Sequence, residues 1–222
     1  MTDQSAELEW RDGRVPVSTR FDDPYYSLDN GLAETRHVFL AGNDLPTRFA
    51  ADFHIAELGF GTGLNLICAL QAFRASGTPG RLRFTSFEAF PMAADDMIAA
   101  EGAFPELADL AAELAPLWLA GETTFQTDDL TFTLITGDAR ETLPDWPHRA
   151  DAWFLDGFSP AKNPELWGEA LMAEVARHTA PGGTAATYTA AGHVRRALAA
   201  GGFTVSRIPG FGRKRHMTKA IL

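Results

Sequence analysis

Apolar positions along this chain take on a regular period from about Phe53 onward. Short runs rich in β-branched and aromatic residues predict strands at 53–58, 82–87, 131–136, 151–155, 184–189, 203–208 and 216–221. Between them, apolar residues spaced three and four apart predict helices over 64–75, 91–102, 105–118, 139–143, 165–178 and 190–200. Thr123–Thr127 and Leu130–Ile135, joined through Asp128-Asp129, also suit a hairpin. Strands alternating with helices imply an α/β fold, with a mostly parallel seven-stranded sheet covered by helices on both faces.

Residues 1–50 lack that period. Turn formers and aromatics dominate (Trp10, Phe21, Asp22-Asp23-Pro24, Tyr25-Tyr26, Asp29-Asn30-Gly31), predicting an extension laid against the domain with a short helix near Gly31–Phe39. At 222 residues and 45% hydrophobic content, the chain suffices for one well-filled core and is short for two. A single domain over 51–222 with residues 1–50 packed on it is expected.

The predicted strand 53–58 runs into Glu57-Leu-Gly59-Phe60-Gly61-Thr62-Gly63-Leu64-Asn65. The three glycines can take positive φ and let backbone approach a ligand, and the helix from Leu64 would point its first amides at it. A tight turn with no ligand is the plain alternative. A dinucleotide fingerprint would need its third glycine where Leu64 stands. A pyrophosphate would also gain nothing from Glu57, whereas the cationic sulfonium and amino group of S-adenosylmethionine would be attracted to it. E-x-G-x-G-x-G resembles the first motif of Rossmann-like methyltransferases.

Parallel sheets place ligands beyond the carboxyl ends of their strands. Acids mark four successive ends: Glu57, Glu88, Asp138 and Asp156. Glu88 can take both ribose hydroxyls through an acceptor-only carboxylate, which would serve NAD equally. Asp138 can accept the exocyclic amine of adenine while the Ala139 amide reaches a ring nitrogen. Asp156 opens the loop Asp156-Gly-Phe158-Ser-Pro-Ala-Lys162-Asn163-Pro-Glu-Leu-Trp167. In amine methyltransferases such a loop lies beside the transferable methyl, so Asp156 is the candidate to orient an amine and receive its proton. Capping the following loop is its other possible role.

The net charge of −10 is unevenly spread: residues 175–222 hold eight Lys and Arg and no acid, against 29 acids and 11 basic residues before them. Arg195, Arg196, Arg207, Arg213, Lys214, Arg215 and Lys219 can make a phosphate-facing surface or a solvated face balanced by acids of the body. The acidic N-terminus and the lack of an apolar run near the ~20 residues that span a bilayer predict a cytoplasmic protein with no membrane partner. Cys68 falls in the helix after the glycine loop and reads as core. The six histidines show no metal-ligand spacing, so no metal is expected.

Three separated blocks bring a family into view: Asp156 to Trp167, Tyr25-Tyr-Ser-Leu-Asp-Asn-Gly-Leu-Ala-Glu-Thr-Arg-His-Val-Phe39, and Gly210-Phe-Gly-Arg-Lys-Arg-His-Met217. Together they resemble the methyltransferase domain of the MnmC tRNA wobble-uridine modification family, over roughly Trp10 to the end. The resemblance implies a Rossmann-like fold and methylation of the 5-aminomethyl group of (2-thio)uridine in the tRNA anticodon loop, with S-adenosylmethionine as donor. It places Glu57, Gly59, Phe60, Gly61, Thr62, Gly63, Asn65, Glu88, Asp138, Ala139 and Asp156 around the cofactor. Tyr25, Phe158, Lys162, Asn163, Trp167, Tyr188, Arg213, Lys214 and Arg215 are expected on the tRNA side, where aromatics can stack a splayed-out base. Core packing is the alternative for Trp167 and Tyr188. The bifunctional members continue into an FAD-dependent oxidase. This chain shows no second glycine fingerprint before Leu222, so either a stand-alone form or a truncated one is expected. The rivals are a small-amine methyltransferase, an NAD(P)-linked oxidoreductase disfavoured by Leu64 and Glu57, and a non-catalytic tRNA-binding module.

Overall fold

The computed structural model describes residues 5–27 and 30–222. The first four residues of the acidic N-terminus, and Leu28 and Asp29 of the Tyr25–Phe39 block, lie outside them. The chain opens with a three-stranded antiparallel sheet, β1 (Leu8–Arg11), β2 (Val15–Ser18) and β3 (Asp23–Pro24). The sequence pattern predicts none of these strands, because they are too short to set up a hydrophobic alternation. The predicted short helix exists as α1 (Gly31–Thr35), capped by the Asn30 side chain on the Ala33 amide, and continues in wider turns to Leu40.

The main sheet contains β4 (His54–Leu58), β5 (Leu82–Glu88), β6 (Thr124–Gln126), β7 (Leu130–Thr136), β8 (Ala150–Leu155), β9 (Thr179–Thr187), β10 (Thr204–Pro209) and β11 (His216–Ile221). Its order is β10-β11-β9-β8-β4-β5-β7-β6, with β9 to β7 parallel and the edges antiparallel. Eight strands replace the expected seven because the hairpin through Asp128-Asp129 adds β6 as an edge. The expected hairpin is present, but its first arm is only three residues long and stands outside the seven strands read from the period.

The helices are α2 (Leu64–Ser76), α3 (Ala94–Glu101), α4 (Ala108–Leu119), α5 (Ala139–Thr142), α6 (Glu169–Arg177) and α7 (Gly192–Ala200). The expected helix 165–178 is split: Pro164–Trp167 makes a 3-10 turn, and Gly168 separates it from α6. Successive strand residues point to opposite faces of the sheet and so feed two cores. Ile55, Phe84 and Phe154 pack with α2 and α4 on one face. Ala56 and Trp153 pack on the other with Trp167, with Met172 and Val175 of α6, and with Ala197 and Leu198 of α7.

β4 lies between β5 and β8, so all five of its residues are buried. The chain leaves β4 through α2 to β5 on one side and reaches β8 on the other. The strand order therefore reverses at β4, and a crevice opens at the carboxyl ends of β4 and β8.

Candidate active site

A cavity of ≈ 1080 Å³ occupies that crevice, roofed by the N-terminal segment, α1 and the turn between β10 and β11. Its floor is the glycine loop. Gly59 has φ +90, and a Cβ there would lie 2.7 Å from the Asp156 carbonyl oxygen, so only glycine lets the loop close over the end of β8. Gly61, at φ +56, packs against the Tyr25 ring. The Phe60 and Gly61 amides donate to Glu88 Oε2 at 3.0 and 3.2 Å, and the Phe90 amide donates to Oε1 at 2.8 Å. Desolvation raises the Glu88 carboxyl, and these amides oppose the rise. A ribose diol would share this carboxylate with the amides.

Asp138 caps α5 through the Arg140 amide and pairs with the Arg140 guanidinium, which holds its carboxyl below the usual range. It stays ionised as an acceptor at the cavity edge, next to Ala139. Asp156 accepts from Asn65 Nδ2 at 2.7 Å, and burial pushes its carboxyl up to about 8 against that hydrogen bond. The Asn65 amide also donates to Glu57 at 2.8 Å, and its Oδ1 accepts from Thr35 at 3.0 Å.

Of the residues singled out in the sequence, Tyr25, Gly59, Phe60, Gly61, Thr62, Asn65, Glu88, Asp138, Ala139, Asp156, Phe158, Lys162, Asn163, Tyr188, Arg213 and Lys214 line the cavity. Glu57 does not. It is fully buried between Asn65 and Ser86, which donates to it at 2.7 Å, and burial holds its carboxyl well above the usual range. Through Asn65 it is linked to Asp156 from behind the cavity wall. Gly63 turns toward Glu101 and Met97. Trp167 is core, its indole N–H donating to the Phe158 carbonyl.

The basic residues divide. Lys214 pairs with Glu34 and Lys219 with Asp44, so these two face acids of the body. Arg215 lies off the cavity, where partial desolvation and the charges of Arg207, Arg215 and Arg195 lower the His216 imidazole. Lys162 is tied to Asp22, and Ser159 N to Asp23, while Phe158 stacks on Phe21 at 4.7 Å. Glu34, Thr35, Ser86 and Phe21 carry no signal of their own, although Glu34 and Thr35 stand inside one of the blocks that bear the resemblance. Among the described residues, no group of three or more His, Cys, Asp or Glu could hold a metal ion, and no helix is long and apolar enough to cross a membrane.

A family profile described as S-adenosyl-L-methionine-dependent methyltransferase matches residues 105–222. The chain is 49% identical over 225 residues to the tRNA 5-methylaminomethyl-2-thiouridine biosynthesis bifunctional protein MnmC of Pseudomonas paraeruginosa, covering 96% of this chain and 34% of that protein. It is 47% identical to the protein of the same name from Chromobacterium violaceum, over 98% of this chain and 34% of that one. The chain thus spans about a third of the length of these curated relatives. A crystal structure of MNMC2 from Aquifex aeolicus matches with a TM-score of 0.77 at 26% identity, over 99% of this chain and 71% of that one. The chain belongs to the S-adenosyl-L-methionine-dependent methyltransferase family.

Proposed function

We propose that the chain methylates the 5-aminomethyl group of (2-thio)uridine at the tRNA wobble position, giving 5-methylaminomethyl-uridine, in the cytoplasm. The observation that carries this is the placing of Asp156, held by Asn65 at 2.7 Å, in one cavity with Glu88 and Asp138. The near-half identity to relatives named for 5-methylaminomethyl-2-thiouridine biosynthesis supports the acceptor. S-adenosylmethionine, when bound, supplies an electrophilic methyl on a cationic sulfur. Glu88 would hold its ribose, Asp138 and the Ala139 amide its adenine, and the loop Gly59–Gly63 its backbone approach.

An alkyl ammonium has no lone pair, so the acceptor must first lose a proton. A carboxylate whose conjugate acid titrates near 8 is matched to that transfer. The neutral nitrogen then forms the new N–C bond as the S–C bond breaks, and the positive charge passes from sulfur to nitrogen. Positioning of the two partners can supply roughly 7–11 kcal/mol of the barrier reduction in good cases. Residues 1–50 act as an extension of the single domain 51–222, with Phe21 and Tyr25 against Phe158 forming an aromatic wall on which a splayed base can stack. Arg195, Arg207 and Arg215, whose charges act together on His216, supply the positive face offered to phosphates. The test is incubation with labelled S-adenosylmethionine and tRNA lacking only the final methyl. Label in the wobble nucleoside is expected; label only in small amines would replace tRNA with a small-molecule acceptor.

A further inference from the structure

Lys214 belongs by sequence to a basic cluster, yet its ammonium turns into the cavity. Its Nζ lies 2.7 Å from Glu34 Oε1 and 4.0 Å from the centroid of the Tyr188 ring. All three residues line the cavity. A carboxylate on one side and an aromatic face on the other is a favourable setting for a partly desolvated ammonium. Tyr188 is fixed there by donating its hydroxyl to the carbonyl of Gly157, the residue after Asp156, at 2.7 Å. Glu34 is fixed there too, because Thr35 beside it in α1 donates to Asn65, which donates to Asp156. The charges of Glu34 and Lys214 act on Asp156 in opposite directions.

We propose that the Glu34 carboxylate and the Tyr188 face bind the ammonium of the acceptor, and that Lys214 fills this place until the acceptor arrives. This rests on the amine-acceptor reading above. The Lys214 side chain is 45% exposed, against 13% for Glu34, so the lysine can withdraw to the rim while the carboxylate stays. The acceptor ammonium then gives one proton to the Asp156 carboxylate. The resulting amine takes the methyl as the sulfonium becomes a thioether, and the new charge on nitrogen again faces Glu34. A plain clasp between α1 and the β10–β11 turn would use the same ion pair, but it gives Glu34 and Lys214 the same sign of effect.

The test measures binding of two nucleosides, 5-aminomethyluridine and uncharged 5-hydroxymethyluridine, to protein saturated with S-adenosylhomocysteine. The unmodified protein is expected to prefer the charged nucleoside. Glu34→Gln should weaken 5-aminomethyluridine by about tenfold or more and leave 5-hydroxymethyluridine unchanged, and Glu34→Asp should restore part of the loss. Lys214→Met should tighten 5-aminomethyluridine several-fold, because the competing cation is gone and neither nucleoside carries a phosphate. Shifts of the same sign in both variants, or no charge preference in the unmodified protein, would overturn the proposal. Melting temperature and S-adenosylhomocysteine affinity report whether each variant is folded, and Lys214→Met remains decisive if Glu34→Gln is not. Binding needs no turnover, so failure to methylate tRNA would remove the wobble assignment without touching this result.

Discussion

Asn65 Nδ2 donates to Asp156 Oδ2 at 2.7 Å while the same nitrogen donates to Glu57 Oε1 at 2.8 Å. Thr35 occupies Asn65 Oδ1, so the amide cannot turn over without losing all three bonds. Asn65→Ala would leave Asp156 without the donor that lowers its carboxyl. With Asp156 as the proposed proton acceptor, the rise of kcat with pH should therefore move to more alkaline pH. A pH–rate profile of the variant checks this; an unmoved profile means that Asp156 is not the titrating group.

Asp156→Ala should lower turnover by ~10²–10⁴-fold, the usual loss when a positioned acid–base group is removed. S-adenosylmethionine affinity by calorimetry should change little in comparison. Near-normal turnover would make the carboxylate a loop element only.

Glu101 gives a stability prediction. It is buried beside Gly63, neither of its oxygens nor Trp118 Nε1 makes a hydrogen bond among the described residues, and burial raises its carboxyl to about 8 with the nearby indole opposing only in part. The folded state holds the proton more tightly than the unfolded one. Its contribution is therefore full below the ordinary value of 4.5 and is lost as pH rises through about 8. Glu101→Gln cannot ionise, so its stability advantage over the unmodified protein should widen between about pH 5 and 8, by about 2–4 kcal/mol at ~1.4 kcal/mol per pH unit. Denaturant titrations at both pH values give the answer; a constant difference would mean that Glu101 finds a partner when charged.

Changing Arg195, Arg207 and Arg215 together to Ala should weaken tRNA binding and flatten its log–log salt dependence by roughly 2–3 units, at about 0.7–0.9 per phosphate contact. Filter binding over a salt series measures the slope. An unchanged slope would take RNA off this face.

Gly59→Ala should abolish S-adenosylmethionine binding as read by calorimetry, because φ is +90 and the new Cβ would meet the Asp156 carbonyl at 2.7 Å. Retained affinity would show that loop and strand end can separate without cost to the site.

Local chemistry by itself determined the alternation of strands and helices, the glycine loop and the acids at four strand ends, because period, backbone freedom and polarity are properties of short stretches. Those features carried Glu88, Asp138 and Asp156 to the cavity. Tertiary structure decided which way each side chain faces. Glu57, two residues before the loop, points into the protein because β4 is enclosed by β5 and β8, and Ser86 on β5 supplies its partner. Lys214 and Arg215 are neighbours in sequence, yet one enters the cavity toward Glu34 and the other lies off it. The Glu34–Lys214 bond spans 180 residues, and the strap of Phe21 over Phe158 joins the first strands to the loop after β8. No pattern within a few residues encodes such pairs, because they exist only once the sheet has brought its strand ends together.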